Sequence, residues 1–185
     1  MKQKNNKSKK QKKWVWPLIV LILAISLSLC FSLLSELVLD GSAIFVAIIV
    51  ILVFITISII TDMIGLAVAS SNIEHFNAMA ARKVTGSKQA ISLVKNADKV
   101  SSVLNDVIGD VCGILSGAAG ASIVAKIAID NSASFMSILI PSLIAAIIAG
   151  LTIAGKAIFK KVAIKYANPL TLNFAKFLNF FTRKG

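Results

Sequence analysis

Three stretches of the chain carry no charge: Trp14 to Ser35, Gly41 to Thr61 and Asn131 to Gly155, of 22, 21 and 25 residues. Apolar runs of about 18 residues or more read as bilayer-spanning helices, since a helix rises ~1.5 Å per residue through a hydrocarbon layer ~30 Å deep. A fourth apolar segment, from Ser101 to Ala128, is interrupted only by Asp106, Asp110 and Lys126. The pattern predicts four spans, at about 14–39, 43–69, 101–128 and 135–155, with tight turns at Asp40-Gly41-Ser42 and Asp130-Asn131-Ser132. Trp14 and Trp16 suit the headgroup level, Pro17 suits a helix start, and Pro141 is a kink position in the fourth span.

Between Ser70 and Lys99 the pattern turns amphipathic. Ser71-Asn72-Ile73-Glu74 has capping-box spacing, and Ile73, Phe76, Met79, Ala80 and Val84 then make one apolar face. Gly86 ends this helix, and a second, about Ser87 to Asn96, presents Ala90, Leu93 and Val94. A helical pair at about 71–97, lying against the membrane, is the expectation. Beyond Gly155, Lys160, Lys161 and Lys165 mark an interfacial stretch that Asn168-Pro169 breaks. The last helix, about 169–183, carries Leu170, Phe174, Phe177, Leu178 and Phe181 on one face, as an in-plane helix would.

Composition agrees. With 57% apolar and 15% charged residues and a mean hydropathy of +0.85, a soluble enzyme, a disulfide-rich secreted domain and a disordered chain are all excluded. The fold class is an all-α integral membrane protein: a single transmembrane domain, 14–185, behind a basic disordered tail, 1–13. No nucleophile–base pair marks it as an enzyme. Seven of the 20 basic residues sit in that tail, where no aromatic interleaves them. It therefore reads as a topology anchor facing the lipid bilayer, and nucleic acid is not a predicted partner. The apolar stretch that follows is too long for a cleaved signal, so the first span is read as retained. Cys30 and Cys112, inside apolar spans, are read as packing residues and not as a disulfide.

Orientation follows from the lysines and arginines. They crowd the tail, the middle loop (Arg82, Lys83, Lys88, Lys95, Lys99) and the segment after Gly155, and avoid both tight turns. Both termini and the middle loop are expected to be cytoplasmic, in a multi-pass protein of the plasma membrane. Lys126, near the outer end, can snorkel outward.

Ionisable groups within a bilayer are costly, so each is a functional candidate. Asp62 lies ~12 Å from the cytoplasmic end of its span, and Asp106 and Asp110 lie ~9 and ~15 Å into theirs, by helical rise. Asp106 and Asp110 share a helix face, and Ser58, Thr61, Ser102 and Asn105 add oxygens at a similar depth. An all-oxygen set made of Ser58, Thr61, Asp62, Asn105, Asp106 and Asp110 suits a hard cation such as Mg2+. The plainer alternative is that these groups cap helices, bond between helices or pair with Lys156. Gly109, Gly113 and Gly117, four apart and followed by Gly120, allow close helix packing, within one chain or across a dimer.

The order of elements resembles the transmembrane domain of the cyclin-M/CorC magnesium transporter family. The matching stretches are Ser58-Ile59-Ile60-Thr61-Asp62, Met79 to Ala90 around Gly86, Asn105-Asp106-Val107-Ile108-Gly109-Asp110, and Gly155-Lys156-Ala157-Ile158-Phe159-Lys160. The likeness covers about residues 45–180, leaving the first span as an addition. It implies a homodimer with a dehydrated magnesium site. Thr61 and Asp62 stand where the family has Ser and Glu, and Asp110 stands for the Asn after the Gly, all keeping oxygen ligands. Lys156 replaces the family's Glu, and an ammonium repels a dication. No counterpart of the family's cytoplasmic nucleotide-sensing domain pair lies in these residues. Divalent-cation binding or transport is therefore one reading, favoured by the acids. A transport-inactive scaffold or regulator of another membrane protein is the second, favoured by Lys156. A cationic membrane-perturbing protein, the third, would have no use for buried acids. Lys156 either reaches back as a counter-ion to Asp62 or Asp110, or anchors its helix at the headgroups.

Overall fold

The computed structural model describes residues 16–33, 44–128 and 135–182, which are helical apart from short turns, with no strand among them. The elements are α1 (Trp16–Leu33), α2 (Ile44–Ala69), α3 (Ile73–Ala81), α4 (Ser87–Lys95) and α5 (Ala97–Ser102), then a π-helical segment (Val103–Gly109). They continue as α6 (Asp110–Ala128), α7 (Phe135–Lys165) and α8 (Ala167–Thr182). Four helices are long and apolar enough to cross a membrane: α1, α2, the rod running from α5 through the π-helical segment into α6, and α7. The basic tail, both tight turns and the predicted end of the first span fall outside the described residues.

α2 is the hub. It packs against α6, α7, the π-helical segment, α5 and α8. Ala47, Ile51 and Ile55 of α2 meet Ala119 of α6 and Ile148 of α7 in one buried cluster, with Ile59 and Ile144 alongside. The outward apolar side chains, such as Phe45 and Ile153, have no protein cover, as expected where lipid is the solvent. No residue of α1 is buried; it meets the rest through an edge-on contact of Phe31 with Phe54 and through Lys99 Nζ, 5.0 Å above the Trp16 ring.

A second cluster sits at the other end of α2. Phe76 of α3, Ala90 of α4, and Leu172 and Ala175 of α8 are buried together, with Met79, Leu93 and Val94 around them. The predicted apolar faces of α3 and α4 thus pack on each other and on α8. On α8, Thr171, Leu172 and Ala175 are buried against the neighbouring helices, while Phe177, on the predicted in-plane face, is exposed.

Three boundaries also differ from the sequence reading. The N-cap of α3 is Asn72, whose side chain accepts from Glu74 N–H at 2.9 Å, so no capping box forms. Ser71 instead bonds back to the Ala67 carbonyl (2.8 Å) and to Thr171 Oγ1 (2.8 Å), tying α2 to α8. α3 ends before Gly86, through bonds from Lys83 N to Ala80 O and from Val84 N to Met79 O, with Lys83 left-handed at φ 56°. This is a Schellman arrangement with lysine where glycine is usual; Gly86, at φ 86°, opens α4 instead. Finally, α7 does not stop at Gly155 but continues to Lys165, since nothing from Lys156 onward breaks a helix. Asn168-Pro169 then lies in the first turn of α8, where a missing N–H costs no bond.

Truncating Phe76 to alanine empties the centre of the second cluster and should cost about 3–5 kcal/mol. Phe45→Ala, on the lipid-facing side of α2, should change little. Thermal unfolding in detergent checks both; equal losses would contradict this packing.

Candidate functional site

The polar centre forms where α2 faces the π-helical segment. At ~100° per residue, Ser58, Thr61, Asp62 and Gly65 fall on one side of α2. Ser58 Oγ donates to the Gly109 carbonyl at 2.5 Å, and both residues are buried. Thr61 Oγ1 bonds within its own helix, to the carbonyls of Ile57 (2.8 Å) and Ser58 (3.1 Å). Gly65 lies so close to Asn105 that any Cβ there would collide with Asn105 Oδ1.

The π-helical geometry explains this clustering. The Asp110 N–H reaches back to the Asn105 carbonyl, five residues earlier, so the local turn is wider than in an α-helix. Gly109 fits the crowded inner side: a Cβ would stand 3.2 Å from the Leu104 carbonyl and 3.4 Å from Thr61 Oγ1. Within this region Asn105 Oδ1 is buried with no hydrogen-bond partner among the described residues. An acceptor sealed from water without a donor is uncommon and costly, and it singles out this point in the bundle.

The acids of the third span lie elsewhere. Asp106 and Asp110 line a groove of about 530 Å³ with Val111 and Ile114 on one wall and Ser28 and Ser32 of α1 on the other. Ser102 Oγ donates to Asp106 Oδ2 at 2.8 Å, and Lys156 Nζ sits 3.0 Å from Asp110 Oδ1. Lys156 thus stands as the counter-ion of Asp110 rather than of Asp62. Asp62 has no hydrogen bond or ion pair among the described residues, and no three His, Cys, Asp or Glu side chains converge there.

The six predicted oxygens thus divide. Ser58, Thr61 and Asn105 gather around the Gly109 carbonyl, with Asp62 on the same side of α2; Asp106 and Asp110 face the α1 groove. Sequence reasoning missed Gly65 and the π-helical widening. The spacing of Thr61 to Gly65 and of Asn105 to Gly109, four each, was the available signal for the first.

The glycine row divides too. Gly109 and Gly113 face Ser58, Gly120 faces Ile148, and Gly117 faces open space. Cys112 is buried as expected, while Cys30 is exposed, and both are free thiols. Comparison with known proteins yields no match to a family model, a curated protein or a solved structure.

Gly65→Ala should displace the Asn105 side chain and lower the unfolding midpoint by several degrees, as overpacking of about 1–3 kcal/mol does. Gly117→Ala should be neutral or slightly stabilising. If the two behave alike in thermal unfolding, the close approach at Gly65 is wrong.

Proposed function

We propose that this multi-pass membrane protein binds a divalent cation, magnesium by ligand chemistry, between α2 and the π-helical segment. One observation carries the reading: Asn105 Oδ1, a buried acceptor without a donor. A cation satisfies such an oxygen directly, and the neighbouring groups are all hard oxygen donors. Ser58, Thr61, Asn105 and the Gly109 carbonyl would supply neutral ligands, and Asp62 the negative charge. When bound, the ion would have part of its water shell replaced by these oxygens. The likeness of these stretches to the cyclin-M/CorC transmembrane domain supports the same assignment and adds a homodimer in the plasma membrane.

A second reading has its own support. The Lys156 ammonium paired with Asp110 is a tethered cation on the α1-facing side of the same rod, and a carboxylate so compensated has no need of a metal. On that view the protein is a transport-inactive scaffold or regulator of another membrane protein.

Magnesium titration against thermal unfolding of the purified protein tests the first reading. Millimolar magnesium should raise the midpoint; Asp62→Ala should abolish the response, and Asp98→Ala should not. No response in the wild type returns the scaffold reading. Isotope flux into proteoliposomes then separates transport from blockade: robust wild-type flux removes any blocking role for the Asp110–Lys156 pair, while flux appearing only in Lys156→Glu assigns the lysine as the block.

The orientation is proposed from the basic segments alone. A reporter fused after Gly185 should read cytoplasmic and one inserted at Gly41 external; the reverse would overturn the assignment.

A further inference from the structure

α4, the final stretch of α7 and α8 carry Lys88, Lys95, Lys160, Lys161, Lys165 and Lys176, all exposed. There is no acidic residue in 87–95, 157–165 or 167–182. The end of α7 is also apolar: Ile158 is 64% exposed and Ile164 54%, with Tyr166, just beyond it, 48%. There the isoleucines alternate with Lys160, Lys161 and Lys165 and do not lie on an opposite face. Water disfavours the isoleucines, hydrocarbon disfavours the ammonium groups, and only the headgroup layer accommodates both, rings and stems inward and charges outward.

The surface is also held rigidly. Asn168 Oδ1 accepts from Asn72 N–H (3.0 Å), Thr171 bonds Ser71 (2.8 Å), and Gln89 Nε2 donates to Asn179 Oδ1 (2.7 Å), so α8 is fastened to the ends of α2 and α4. The Lys176 stem lies against Gly86, which brings the α8 charge to the start of α4.

We propose that the end of α7, where Lys160, Lys161 and Lys165 are interleaved with Ile158 and Ile164, is a docking surface for anionic phospholipid headgroups, distinct from the polar site between α2 and the π-helical segment and independent of its function. Charge complementarity sets the sign of the partner, and the interleaved apolar side chains set its kind. A nucleic acid or an acidic protein would answer the lysines and leave Ile158 and Ile164 in water. A leaflet answers both, and it is continuous with the membrane that α7 crosses.

The test uses the full chain in neutral detergent, titrated with phosphatidylglycerol or phosphatidylcholine while thermal unfolding and bound lipid are read. Phosphatidylglycerol should raise the midpoint and phosphatidylcholine should not, with the difference shrinking as salt rises. Lys160→Gln, Lys161→Gln and Lys165→Gln together should weaken apparent phosphatidylglycerol affinity by about tenfold or more, at roughly a severalfold loss per lysine. The lipid-free midpoint, unchanged, shows that this variant folds. Ile164→Gln should weaken affinity while leaving the salt dependence as in the wild type. Replacing Lys9, Lys10, Lys12 and Lys13 of the tail by Gln should leave the affinity within about twofold, since the proposal assigns binding to the α7 lysines. Equal response to the two lipids, loss of the effect with the tail variant alone, or the same shift from soluble polyglutamate would each overturn the proposal, the last in favour of an acidic protein partner.

Discussion

The hydrogen bond from Ser58 to the Gly109 carbonyl decides how the third span meets the hub helix. Inside a bilayer no water can complete a backbone carbonyl, so any departure from α-helical bonding must be made good by a neighbour. The wider turn between Val103 and Gly109 is such a departure, and Ser58 supplies a donor at its end. With that contact made, Gly65 falls against Asn105, Gly113 comes within reach of Ser58, and Asp106 and Asp110 rotate towards α1. The two polar regions of the protein are therefore opposite sides of one helical rod.

Charge follows the same division. The side of the rod facing α2 holds neutral oxygens, with Asp62 contributed from the hub. The side facing α1 holds two carboxylates, one answered by the Ser102 hydroxyl and one by Lys156. The lysine comes from α7, a different element, so the ion pair also ties α6 to α7. Its attraction is little screened where lipid replaces water, and an uncompensated Asp110 would be correspondingly costly.

The four spans were legible because bilayer thickness and helical rise leave little freedom: long charge-free runs such as Gly41 to Thr61 admit few other readings. The apolar faces of α3 and α4 were legible for the same reason, through their 3.6-residue period. What periodicity did not report was the choice among protein partners. In α8, Thr171, Leu172 and Ala175 pack inside against the neighbouring helices, a second face beside the phenylalanine stripe that the pattern does not reveal. The π-helical turn was hidden likewise, since Val103 to Gly109 contains no residue that demands it, and only the packed partner, Ser58, makes it stable. Grouping Asp62, Asp106 and Asp110 by depth was sound arithmetic along the helix axis, but depth carries no information about azimuth.

α1 has a consequence of its own. It supplies one whole wall of the groove over Asp106 and Asp110, yet buries none of its residues and meets its neighbours through the Phe31–Phe54 and Trp16–Lys99 contacts. The wall beside those two carboxylates, both of them exposed, is thus supplied by the least secured helix of the described bundle. Whatever sets the tilt of α1, bilayer thickness included, also sets how open the groove is around Asp110 and Lys156. In this architecture the mechanics of the membrane and the electrostatics of the interior are adjusted by the same part.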